Sequence, residues 1–198
     1  MIKVVAGVDL AASTKKSTAI CLMTLELYAE TYKVKKDEEI IKLIVESGAK
    51  IVGIDAPLSF PISGLYRDCD LELLRHGIRL FPPLLGPMKA LTARGIKLKN
   101  KLEDAGIQVY EVFPGGTQDV LGLPRKKKGK QQLLRGLQNL GIKGLSEECS
   151  LDELDAATAA LTIVLYVKGL AEKVEGENCL ILLPCPEARS KLQNVSKT

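Results

Sequence analysis

The chain opens on an apolar run, Ile2 to Asp9, broken only by Lys3 before Asp9 closes it. Its two adjacent valines are β-branched, which predicts a buried strand. Ser17 to Met23 and Leu25 to Val34 repeat the pattern. Three consecutive strands with short links predict an antiparallel meander. Asp37 to Ser47 then carries apolar residues at 40, 41, 43, 44 and 45 among Asp, Glu and Lys, with Gly48 where a helix should stop. That predicts one amphipathic helix. The β-branched run Lys50 to Asp55 follows, and a helix that returns the chain to the sheet calls for a crossover and a parallel pairing.

From Ala56 to Gly95 the text is rich in Pro and Gly, with a helix predicted over Asp68 to His76 and long loops around Phe81 to Met88. A helix around Ile96 to Ala105 leads to a strand, Gln108 to Phe113, which Pro114 and the Gly115-Gly116 pair terminate. A basic loop, Pro124 to Lys130, precedes a helix from Gln131 to about Leu140. The last strong helix runs from Leu151 to about Glu172, and its alanines 156, 157, 159 and 160 let it lie close against a sheet. Cys179 to Leu183 adds a final edge strand. The expectation is a single α/β domain spanning 1–198, with a mixed sheet of about five strands, helices on both faces and an insertion over about 56–105.

Composition narrows this only slightly. A length of 198 residues and 46% hydrophobic content suit a full globular core. The net charge of +4 permits an acidic partner without demanding one. No secretion signal is visible, and the longest apolar stretches fall short of the roughly 20 residues of a membrane helix, so the reading is a soluble, cytoplasmic protein with no membrane partner. Five cysteines show no C-x-x-C spacing and have a single histidine, His76, to join them. This argues against structural zinc and for cysteines acting as small hydrophobes in a reducing cytosol.

The chemistry gathers on acids. Gly-Val-Asp9-Leu-Ala and Gly-Ile-Asp55-Ala-Pro each end an apolar strand in a carboxylate. One such Asp is most simply a turn cap; two in sequences this alike point to a shared purpose at adjacent strand ends, where polar ligands bind in α/β folds. In Ser150-Leu-Asp152-Glu-Leu-Asp155-Ala, a capping box explains Glu153 and the helix dipole suits Asp152. Neither explains Asp155, in the second turn among alanines. Asp152 and Asp155 share a helix face. Carboxylates from two strands and one helix suit Mg²⁺ or Mn²⁺, which prefer hard oxygen ligands, and a phosphodiester is the substrate class that uses such a site.

The strand-end aspartates and the D-x-x-D-A of the last helix resemble Holliday-junction resolvases of the ribonuclease H-like superfamily. More closely, Gly-Val-Asp-Leu-Ala, Gly-Ile-Asp-Ala-Pro-Leu-Ser, Arg67 to Phe81, Glu111-Val-Phe-Pro and Asp152 to Ala160 resemble an uncharacterised prokaryotic family of predicted nucleases, the domain of unknown function 429 type. The resemblance spans nearly the whole chain. It implies a ribonuclease H-like mixed sheet and a metal-dependent nuclease acting on DNA or RNA, with Asp9 bridging, Asp55 its partner, and Asp152 with Asp155 as closing acids. The resolvases carry Glu where Asp55 stands, a difference that bears on whether one metal is bound or two.

Around these acids stand further candidates. Glu111 is read either as another ligand or as the partner of an insertion arginine. Arg67, Arg75, Arg79 and Arg94 punctuate the insertion, and Lys126, Lys127 and Lys128 belong to the densest positive run. Arg67, Arg75, Arg94 and those three lysines are taken as phosphate-contacting, against the alternative of surface charge and internal ion pairs. His76 reads as a helix cap. The stretch Ser13-Thr-Lys-Lys16-Ser17 after Asp9 leaves open a phosphate-handling enzyme of actin-like type, and a non-catalytic nucleic-acid-binding module of the same fold is the other alternative. The oligomeric state stays open, a homodimer included.

Overall fold

The opening apolar runs become β1 (Val4–Asp9), β2 (Thr18–Thr24) and β3 (Ala29–Val34), paired antiparallel in succession. The helix α1 (Asp37–Glu46) then carries the chain across to β4 (Ile51–Asp55), which pairs parallel with β1. The computed structural model describes residues 2–125 and 128–195, with side chains described as far as residue 192.

The long connection after β4 holds α2 (Asp68–Arg75) and α3 (Pro87–Asp104) and ends in β5 (Gln108–Val112), parallel to β4. The remainder contributes α4 (Pro114–Val120), α5 (Lys130–Asn139), α6 (Leu151–Val167), β6 (Ala171–Glu175), β7 (Leu180–Pro184) and α7 (Ala188–Val195). The result is a mixed seven-stranded sheet in the order β3-β2-β1-β4-β5-β7-β6. Of the strands beyond the expected five, β7 is the final strand anticipated at Cys179 to Leu183, and β6 was not anticipated. The helix expected to reach Glu172 stops at Val167, because Gly169 takes a positive φ of 70° and β6 follows. The strand expected at an edge, β7, lies inside, between β5 and β6.

Helices cover both faces. Ile40 and Ile44 of α1 pack with Leu98 and Leu102 of α3 over Ala6, Val8, Val52 and Ile54. On the other face α6 lies against the sheet while Leu133, Leu134 and Leu137 of α5 cover it from outside. Every residue of α6 from Leu154 to Leu165 is buried, as expected of a helix without a polar stripe. Its close approach depends on Gly7. A Cβ there would lie 2.2 Å from both the Ala156 carbonyl oxygen and the Ala160 nitrogen.

Cys69 and Cys179 form a disulfide between α2 and the β6–β7 turn, so two of the five cysteines are not the small hydrophobes expected. Their separation of 110 residues left no local spacing to read. Cys21 and Cys149 are free and buried. Among the described residues, no helix is long and apolar enough to cross a membrane.

Candidate active site

Strand alternation and register decide where the first two acids point. Asp9 is in phase with Val5 and Gly7, and Asp55 with Ile51 and Gly53; Val5 and Ile51 belong to the core under α6, while Gly7 and Gly53 touch α6 directly. Both carboxylates therefore leave the sheet on the α6 face. In the parallel ladder Asp9 stands opposite Asp55, so their backbones are about 4.8 Å apart, the spacing of neighbouring strands. Both side chains are half-buried.

The acids of α6 approach from above. Asp155 is 3% exposed, and its Oδ1 accepts a hydrogen bond from Gln118 Nε2 at 2.9 Å. Gln118 comes from α4, which is locked to α6 by a 2.8 Å bond between the hydroxyls of Thr117 and Thr162. Sequence reading missed Gln118, because Pro-Gly-Gly reads as a terminator and hides the helix that carries it. Asp152 is exposed and lines an open recess of about 590 Å³ with Asp9, Ser13, Lys16, Ser17 and Lys33. Between the two aspartates, Glu153 performs the cap: Ser150 donates to its Oε2 through N–H (2.8 Å) and hydroxyl (2.7 Å). Thr31 and Lys33 add bonds from β3 at 2.9 and 3.0 Å. Burial alone would raise the Glu153 carboxyl, but these donors together hold it at about 2.

Glu111 is the partner of an insertion arginine. It stands opposite Ile54, whose side chain faces α1 and α3, so it leaves the sheet on the side away from Asp55. There Arg67 grips it bidentately at 2.6 and 2.7 Å and holds Asp70 at 2.7 and 3.0 Å, while the Leu58 N–H donates to Glu111 at 2.8 Å. Burial would favour a neutral Arg67, but the two carboxylates more than reverse this and keep the guanidinium charged. With 2% exposure, Arg67 is the hub of a buried ion-pair cluster, with its guanidinium turned inward, away from any phosphate.

The other arginines divide. Arg94 is 9% exposed and holds Asp37 at 2.7 Å and the carbonyls of Ala11 and Lys35 at 2.6 and 3.0 Å, so its donors are committed to internal structure. Arg75 lies on the surface of α2, paired with Glu72 at 2.7 Å. His76 is the C-cap residue of α2, its ring 3.1 Å from Glu72. Lys128 is exposed, while Lys126 and Lys127 lie outside the described residues. Arg125, at the root of the basic run, bonds Asp119 at 2.8 Å and stacks 5.4 Å from the Phe113 ring centroid. Its guanidinium is shifted upward mainly by Asp119, with Asp155 adding to the pull, so the basic run starts within electrostatic reach of Asp155.

For a metal, the donor chemistry fits: the acids that gather here offer only hard carboxylate oxygens, the set that Mg²⁺ and Mn²⁺ take. The closest fit is the Asp9–Asp55 pair, since among the described residues no group of three His, Cys, Asp or Glu stands ready to share one ion.

The mixed sheet and its flanking helices define a ribonuclease H-like fold. A structure of RuvC from Thermus thermophilus superimposes with a TM-score of 0.51 at 15% identity, over 84% of this chain and 96% of that one. A second, T. thermophilus RuvC in complex with Holliday junction substrate, superimposes at 0.49 with 17% identity over the same shares. No family model matches the chain, and no curated protein matches it. The likeness is one of fold, without support for the narrower predicted-nuclease family that the motifs resemble.

Proposed function

We propose that the chain is a divalent-metal-dependent nuclease that hydrolyses phosphodiester bonds in DNA or RNA. The observation that carries this reading is the register that sets Asp9 opposite Asp55 on the face where α6 brings Asp155. The ribonuclease H-like fold supports it. Asp9 and Asp55 would hold Mg²⁺ or Mn²⁺ from below, and Asp152 and Asp155 would face it from α6. The bound cation would supply Lewis-acid activation of the phosphodiester and charge neutralisation in the transition state. Gln118 is a positioning residue: its amide fixes one oxygen of Asp155, so the carboxylate keeps one orientation. Phe113, stacked against Arg125, steadies the start of the basic run.

The test is calorimetric titration of Mn²⁺ into the wild type and Asp9→Asn, then incubation of both with labelled DNA and RNA in linear and branched forms. Saturable binding and cleavage by the wild type, both lost in a folded Asp9→Asn, is the expected result. A fully active Asp9→Asn, or a wild type that binds no Mn²⁺, would overturn the mechanism.

A further inference from the structure

We infer that the recess between the β1–β2 hairpin and the first turn of α6 seats a backbone phosphate of the substrate, gripped by Lys16 and Lys33. Its volume of about 590 Å³ falls in the usual range of ligand sites, roughly 300–1,000 Å³. Its lining carries both signs of charge. Asp9 and Asp152 line it together with Lys16, Lys33, Ser13 and Ser17, and the register sets Lys33 in line with Asp9 across Ala19. Carboxylates alone would repel a phosphodiester, and lysines alone would give it no relation to the acids. Together they orient it, with one anionic oxygen toward the ammonium groups and the ester toward Asp9.

The hairpin that presents these groups is held at its stem. Arg94 donates to the Ala11 carbonyl at 2.6 Å, and the Ala11 N–H donates to the Thr18 hydroxyl at 3.2 Å. At the tip the Lys16 N–H closes a turn onto the Ser13 carbonyl at 3.2 Å. Lys16 makes no ion pair among the described residues. Lys33 spends one donor on Glu153 at 3.0 Å and keeps its side chain 46% exposed, and an ammonium has three donors to give. The buried Arg94 thus serves substrate binding through the hairpin it anchors. Its own guanidinium stays on internal acceptors.

The identity of the phosphate's bearer rests on the nuclease reading; the seat itself does not, and the test separates the two. Backbone amide shifts of ¹⁵N-labelled protein are followed in EDTA, without metal or turnover. The probes are inorganic phosphate and short DNA and RNA oligonucleotides with unphosphorylated ends. Saturable shifts at the Ser13 to Ser17 amides are expected with at least one oligonucleotide. In Lys16→Ala/Lys33→Ala the slope of log affinity against log salt falls by about 0.7, one neutralised phosphate of a single strand, while Lys16→Arg/Lys33→Arg keeps the wild-type slope. Both lysines are exposed enough for these variants to fold. An unchanged slope in the alanine variant, hairpin amides that do not move, or a response to inorganic phosphate alone would overturn the inference. Hairpin shifts in a protein that neither binds Mn²⁺ nor cleaves would uphold the seat and remove the nuclease.

Discussion

At the scale of single residues, Gly7 illustrates how a missing side chain positions the candidate site. The two atoms a Cβ would meet at 2.2 Å belong to the α6 backbone, which cannot rotate away, so α6 itself must lift. Gly7→Ala is expected to cost about 3 kcal/mol, the upper end of ordinary overpacking. Gly53 is the control: the atoms there, at 2.9 Å, are side-chain carbons, the Ile163 Cγ1 methylene and a Val112 methyl, which can repack, so Gly53→Ala is expected to cost about 1 kcal/mol. Denaturant midpoints at constant m-value measure both, and equal costs would refute the contrast. The same lift would carry Asp155 away from the strand ends. Stability and metal affinity should therefore fall together in Gly7→Ala.

At the scale of elements, the N-terminus of α6 makes a prediction about pH. The Glu153 carboxyl sits at about 2 in the folded protein against an ordinary 4.5. A depressed carboxylate contributes stability in full above the unfolded value and loses it as pH falls toward the folded one. Melting temperature should therefore decline as pH drops from about 4.5 toward 2, and Glu153→Gln should flatten that limb while lowering stability at neutral pH. An identical acid limb in the variant would show that other groups set it.

The same scale shows what the sequence made legible. The strands β1 and β4 were readable because both are apolar runs, and their adjacency followed from the helix between them, so Asp9 and Asp55 could be placed side by side before any coordinates. The helix α4 was not, because Pro114-Gly115-Gly116 reads as a stop. In fact Pro114 starts the helix at its first position, where its missing N–H costs nothing. Gly116 makes room for Phe113, Leu183 and Ile78 rather than turning the chain. The strand β6, Ala-Glu-Lys-Val-Glu, carries helix-forming residues, but it is an edge strand, where charge guards against further pairing. The Arg67–Glu111 pair bridges 44 residues, a distance over which periodicity says nothing about which acid an arginine will meet.

For the whole molecule, the Cys69–Cys179 disulfide ties the connection after β4 to the far edge of the sheet. Beside it lies a small third core of Leu73, Ile78, Ile181 and Leu183, too few residues to fix α2 alone. Reduction is expected to lower stability by about 2–5 kcal/mol, the usual range for a native disulfide. Melts with and without reductant check this, and Cys69→Ser/Cys179→Ser should melt alike in both conditions. A wild type indifferent to reductant would show that α2 is held by the Arg67 cluster instead.

The pairing of Asp9 with Asp55 across a parallel ladder has a consequence for how such a site can change. Their separation is fixed by rungs of backbone hydrogen bonds, and rungs can be gained or lost only whole. A slip of one residue would turn an aspartate to the opposite face, and a slip of two would carry it about 6.6 Å along the strand. Between those positions there is no stable intermediate. Substitutions in the surrounding core can thus weaken the protein by degrees, yet the gap between the two acids works as a ratchet, either in its notch or out of it.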